Sequence, residues 1–140
     1  MDELLNRSDV EASVAKVFGG GPLNRYPKIS RDRTVFLGLA ALRLRPLGDL
    51  SEPQVNAALG EWLLEMEASE AIDHVTLRRY LVDIRFLTRD ANGAGYRVDA
   101  AALDRAFAPE AQVIDVQGII NGAEADRLAR RQAWEDAQRS

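Results

Sequence analysis

The chain has 140 residues, 46% of them hydrophobic, and a formal net charge of −4 at pH 7. That length suits about one domain with extensions, and the apolar share suffices for a core. The absence of cysteine excludes disulfides, cysteine-based zinc sites and thiol chemistry. No apolar run approaches the ~20 residues of a membrane span. The start, M-D-E-L-L-N-R, lacks the basic and apolar regions of a signal peptide, so a soluble cytoplasmic protein is expected.

In chain order, Ser8-Asp9-Val10-Glu11 has capping-box spacing and predicts a short helix ending near Phe18. Gly19-Gly20-Gly21-Pro22 follows a helix, and a proline ends it, so it reads as a hinge and not as a phosphate cradle, which needs a strand before it and a helix after it. Ser30 is the expected cap of a helix from Arg31 to about Leu44, with Val35, Phe36, Leu39 and Leu42 on one face. Ser51-Glu52-Pro53-Gln54 opens the next helix, whose apolar stripe is Val55, Leu59, Trp62, Leu63 and Met66. A third helix is predicted over about Asp73–Arg85, with Leu77, Leu81 and Ile84 facing inward.

Two strand-like runs come next, Phe86–Arg89 and Gly95–Val98, around the turn signal Asn92-Gly93. Three phased helices followed by a β-hairpin outline an α+β, mostly helical, winged helix-turn-helix-like domain. The predicted organisation is an N-terminal helix and hinge over 1–23, the winged-helix-like domain over 24–98, and a C-terminal helical extension over 99–140. In that extension Asp99 caps a short helix carrying Leu103 and Phe107 and stopping before Pro109. Val113, Ile114, Val116, Ile119 and Ile120 form an apolar cluster. The tail from Ala123 to Arg139 is a charged helix with Asp126–Arg130 and Arg131–Glu135 at i,i+4 spacing.

The residues of the central region resemble the bacterial family called domain of unknown function 2087, found alone or attached to ArsR-type regulators. The resemblance spans about residues 24–98. It rests on Tyr26-Pro27-Lys28; on Ser51-Glu52 with Gln54-Val55-Asn56 and Leu59; on Asp73 with Leu77-Arg78-Arg79 and Leu81-Val82-Asp83; and on Leu87, Arg89, Gly95 and Tyr96. The family closes its wing with Tyr-Trp or a similar pair, where this chain has Tyr96-Arg97. The resemblance implies a winged-helix-like fold and a link to transcriptional regulators, and it implies no catalytic mechanism.

Charge is unevenly spread. Residues 24–46 carry six cations against one acid, residues 47–83 eight acids against two arginines, and residues 84–98 three arginines against one acid. A basic arm and wing suggest contact with the phosphates of double-stranded DNA, through Arg25, Lys28, Arg31, Arg33, Arg89 and Arg97, with Arg79 nearest the major groove. The acidic total opposes this. So do Ile72, Val75, Val82 and Phe86 beside Arg79, which suggest a helix covered by a terminal extension or a partner chain, with Arg78 and Arg79 paired to Asp73, Asp83 or acids of the preceding helix.

His74 is the single histidine, and Glu70 and Asp73 beside it make a poor metal or acid–base set. Glu61 and Glu65 read as a solvated face. No nucleotide-binding, hydrolase or zinc-protease motif occurs, so no enzyme, metal, cofactor or small-molecule substrate is expected. Two functions remain: a DNA-binding or transcription-associated regulator, or a winged helix used as a protein-interaction module. The apolar residues Val113, Val116, Ile119, Ile120 and Trp134 raise a further choice between an extra helix closing this core and a homodimer built on the C-terminal segment.

Overall fold

A computed structural model describes residues 4–19, 23, 25–92 and 94–139. Among them are six α-helices, α1 (Arg7–Phe18), α2 (Ser30–Leu44), α3 (Glu52–Glu65), α4 (His74–Asp83), α5 (Ala100–Ala106) and α6 (Val116–Arg139). Three short strands, β1 (Leu50–Ser51), β2 (Leu87–Arg89) and β3 (Gly95–Val98), make an antiparallel sheet in the order β1-β3-β2. The protein is thus a mostly helical α+β fold.

The core is organised around α2. Val35, Phe36, Leu37, Gly38, Leu39, Ala40, Ala41 and Leu44 are all buried, so the helix is enclosed on nearly every side and not along the single stripe that periodicity suggested. The other helices explain it: α1, α3 and α4 pack directly on α2, and Phe107 reaches it from the end of α5. At Gly38 that ring comes so close that a β-carbon would stand 2.3 Å from Phe107 Cζ. One hydrophobic cluster runs from Val10 in α1 to Ile120 in α6 and draws together the terminal extensions and the central region.

Local capping set α3 as the sequence suggested, and a side-chain cap also opens α4. Ser51 accepts from the backbone N–H of Gln54 while Gln54 accepts from that of Ser51. Asp73 accepts from the Thr76 backbone at 2.8 Å and from its hydroxyl at 2.9 Å.

Other starts differ from expectation. α1 begins two residues earlier, its box formed by Asn6 and Asp9, so Ser8 lies inside the first turn. α2 includes Ser30 itself; Ile29 precedes it, and no side chain caps the helix. α4 is also shorter than predicted, since Asp73 is its cap and Arg85 takes a left-handed conformation (φ 71). There the N–H of Arg85 donates to Val82 and that of Phe86 to Leu81, which closes the helix end and turns the chain into β2.

The hairpin pairs Leu87 with Val98, Thr88 with Arg97 and Arg89 with Tyr96. Gly93 of the expected turn, and Gly20, Gly21 and Pro22 of the expected hinge, lie outside the described residues. β1, too short to show a pattern, pairs Leu50 with Tyr96 and so lies beside β3, on the side away from β2.

At the C-terminus, Asp99 caps α5 as expected. Val116, Ile119 and Ile120 of the apolar cluster join the charged tail in α6, whereas Val113 and Ile114 precede that helix; in α6 the Arg131–Glu135 pair is present at 3.3 Å and Asp126 does not meet Arg130. No helix among the described residues is long and apolar enough to cross a membrane.

Candidate functional site

Leu77 and Leu81 anchor α4 in the core, which turns Val75, Arg79 and Asp83 outward. Among the described residues, α4 packs mainly on α2, α3 and β2 while α6 packs mainly on α1, and this face of α4 stays exposed at Val75, Arg79 and Asp83. Of the four apolar residues expected beside Arg79, Ile72 and Phe86 are buried, Val82 is half-buried, and Val75 is 40% exposed.

The adjacent arginines part company. Arg78, with a side chain 16% exposed, bonds Glu52 of α3 at 2.9 Å and donates to Asn56. It is therefore a tie between α3 and α4, as the ion-pair reading expected. Arg79 is exposed, with no carboxylate partner among the described residues.

Pleating decides which wing residues join it. Arg89 and Tyr96 are cross-strand partners on the sheet face toward α4, while Thr88 and Arg97 point to the other face. The Tyr96 ring has two guanidiniums near it, Arg78 and Arg89 each 5.8 Å from its centroid. Together with Arg79, Val82 and Asp83 these residues line a cleft of about 240 Å³ between α4 and the wing. Arg79 and Arg89, with no carboxylate bonded to either among the described residues, lie beside an aromatic ring and suit an anionic, planar or phosphorylated partner. Asp83 narrows that preference by adding one negative charge.

The rest of the expected basic set is dispersed. Arg97 bonds Asp49 at 2.5 Å, and this exposed pair holds the Asp49 carboxyl below the usual carboxylate range. Arg31 bonds Asp9 of α1 at 3.5 Å. Arg33 stacks 4.3 Å over Tyr80 and 5.9 Å from Tyr26, inside an aromatic group in which Tyr26 meets Phe36 and Tyr80 edge-on. Burial, then Asp73, drives the Tyr26 hydroxyl far above its ordinary pKa, so it stays a neutral donor to the Asp73 carbonyl at 3.5 Å. Arg25 and Lys28 are exposed on the arm that this tyrosine fastens to α4, and neither has a carboxylate partner among the described residues.

Tyr96 is the site residue that sequence reasoning passed over. The turn expected from the Asn92-Gly93 signal implies Arg89 opposite Tyr96, which is the pairing observed, so the sequence held the signal. His74 is half-buried at the start of α4, and among the described residues no group of three or more metal-binding side chains forms. Glu61 and Glu65 flank Arg43, at 3.9 and 2.9 Å. The expected oligomer residues divide: Val116, Ile119 and Ile120 pack on the chain's own core, whereas Val113 is 80% and Trp134 65% exposed.

Neither a curated protein nor a solved structure matches the chain. A family model does match residues 22–98, more than half of the length and the stretch that holds the cleft. The chain belongs to the family described as uncharacterized proteins conserved in bacteria, DUF2087.

Proposed function

We propose that the protein is a cytoplasmic, non-enzymatic regulator that binds double-stranded DNA through a winged-helix arrangement of α2, α3, α4 and the hairpin. The order α2-β1-α3-α4-β2-β3, with β1 closing the sheet beside β3, supports the winged-helix reading. The observation that carries the DNA reading is the cleft, where Arg79 and Arg89 stand exposed with no carboxylate bonded to either among the described residues, while their neighbour Arg78 is tied. Arg79 projects from α4 toward the groove, Arg89 meets a phosphate from the wing, and Arg25 and Lys28 extend the contact along the backbone. The attachment of such domains to ArsR-type regulators, which the sequence resemblance implies, fits this role.

A second reading, a winged helix that contacts another protein, is favoured by Val75 and Asp83 on the same outward face and by the net charge of −4. Duplex-binding titrations at several salt concentrations separate the two. DNA binding predicts log K falling with log [salt] by about 0.9 per phosphate neutralised. Arg89→Glu then weakens every duplex alike, whereas Arg79→Ala costs about 1–3 kcal/mol on a preferred sequence and relaxes the preference. No binding at ~50 mM salt, where phosphate contacts are strongest, would favour the protein partner.

A further inference from the structure

Only the first part of α6 lies against the body. Val116, Ile119 and Ile120 pack on the core, and Ala123 sits so near Gly19 that a β-carbon there would lie 2.8 Å from its own. From Ala125 to Arg139 every residue is exposed except Glu135, which is half-buried. At 1.5 Å per residue this overhang is roughly 22 Å long. A helix of about 15 residues is marginal by itself in water. This one also holds Leu128 and Trp134 at 58% and 65% exposure. At 100° per residue, Trp134 falls on the face of Val116, Ile120 and Ala123, so the face that packs on the body continues past it uncovered.

We propose that the overhang docks on a second copy of this chain, the two segments pairing antiparallel about a two-fold axis near Trp134. The order of charges argues for that occupant. Residues 124–139 hold Glu124, Asp126, Glu135 and Asp136 against Arg127, Arg130, Arg131 and Arg139, so the segment is neutral and gives a polyanion no net attraction. Antiparallel pairing about Trp134 sets Arg131 of each chain beside Glu135 of the other, on both sides of the axis. A parallel pair in register would put this edge of the two helices on opposite sides of the seam, where Arg131 of one chain and Glu135 of the other do not meet. The bond from Arg131 to Glu135 within the helix, 3.3 Å, already holds both side chains along one edge of the Trp134 face. Two indoles at the centre with a charged rim reproduce the anatomy of a small specific interface.

Light scattering and tryptophan emission on the full chain test the proposal over ~1–100 μM, because a homodimer forms by mass action. The expected mass rises toward twice 15.5 kDa. Emission shifts to the blue in step with it, and the change reports Trp134, since Trp62 is already buried. Trp134→Ala loses the dimer, and with it the part of the far-ultraviolet helix signal that the marginal overhang contributes, while the body melts as in the native chain. Arg131→Glu weakens dimerisation by about tenfold or more because it opposes Glu135 of the other chain, and adding Glu135→Arg restores it. A monomer mass at ~100 μM, or a dimer that neither single variant weakens, overturns the proposal.

Discussion

The seam between α1 and α2 and the cleft between α4 and the wing handle charge in opposite ways. At the seam Asp32 is buried, accepting from the Ser13 hydroxyl at 2.8 Å and facing the Lys16 ammonium at 3.0 Å. Burial pushes the Asp32 carboxyl up, but the Ser13 bond with Lys16 and Arg31 outweighs it and holds the pKa below the ordinary value. Every charge there has an internal answer. In the cleft Arg78 is answered by Glu52, yet Arg79 and Arg89 are not. Charges that build the fold find partners within the chain, and charges left unanswered on a shaped surface are available to another molecule.

If that division holds, substitutions on the structural side should act on stability and those in the cleft on binding. The largest expected effect lies in the core beneath both regions. Gly38→Val places carbon where the Phe107 ring already sits. Overpacking of this kind costs about 1–3 kcal/mol, and calorimetry should show a fall in Tm.

Asp32→Ala comes next. It leaves the buried Ser13 hydroxyl without its acceptor, a loss of about 1–3 kcal/mol. The pH dependence follows from the depressed folded pKa: Asp32 contributes stability above its unfolded pKa and loses it as pH falls through the folded value. Melting curves below about pH 4 should therefore drop more steeply for the native chain than for Asp32→Asn.

Arg78→Ala should be smaller. It removes the tie to Glu52 and Asn56, lowering stability by about 1 kcal/mol. The smallest effect has the opposite sign. Arg85 is an arginine in a left-handed position, where glycine carries no steric penalty, so Arg85→Gly should stabilise by about 0.5–1 kcal/mol in denaturant titrations.

Parts of this comparison were legible in the sequence because they are local. The box of Ser51 and Gln54, the Asp99 cap and the alternation of the hairpin each occupy a few neighbouring residues, and the structure keeps them. Ser8 and Ser30 misled for the complementary reason. Asn6 and Asp9 offered an equally spaced box, and packing of α2 against its neighbours set its start without a cap. Arg78 and Arg79 are consecutive and alike; what separates them is a glutamate on α3, reachable only once the helices are packed. The scatter of the basic arm has the same origin, since Asp9, Tyr80 and Asp49, which occupy Arg31, Arg33 and Arg97, all come from other segments. Likewise no periodicity could tell that Ile120 turns inward while Trp134 remains outside.

The most direct measurement pairs thermal melting with duplex-binding anisotropy on Arg79→Ala and Arg89→Glu, beside Arg78→Ala as the structural control. The prediction is that both cleft variants melt within about 0.5 kcal/mol of the native chain, as surface changes do, while their DNA affinity at low salt falls several-fold. A drop in Tm for Arg79→Ala like that of Arg78→Ala, with no duplex binding by the native chain at ~50 mM salt, would contradict it.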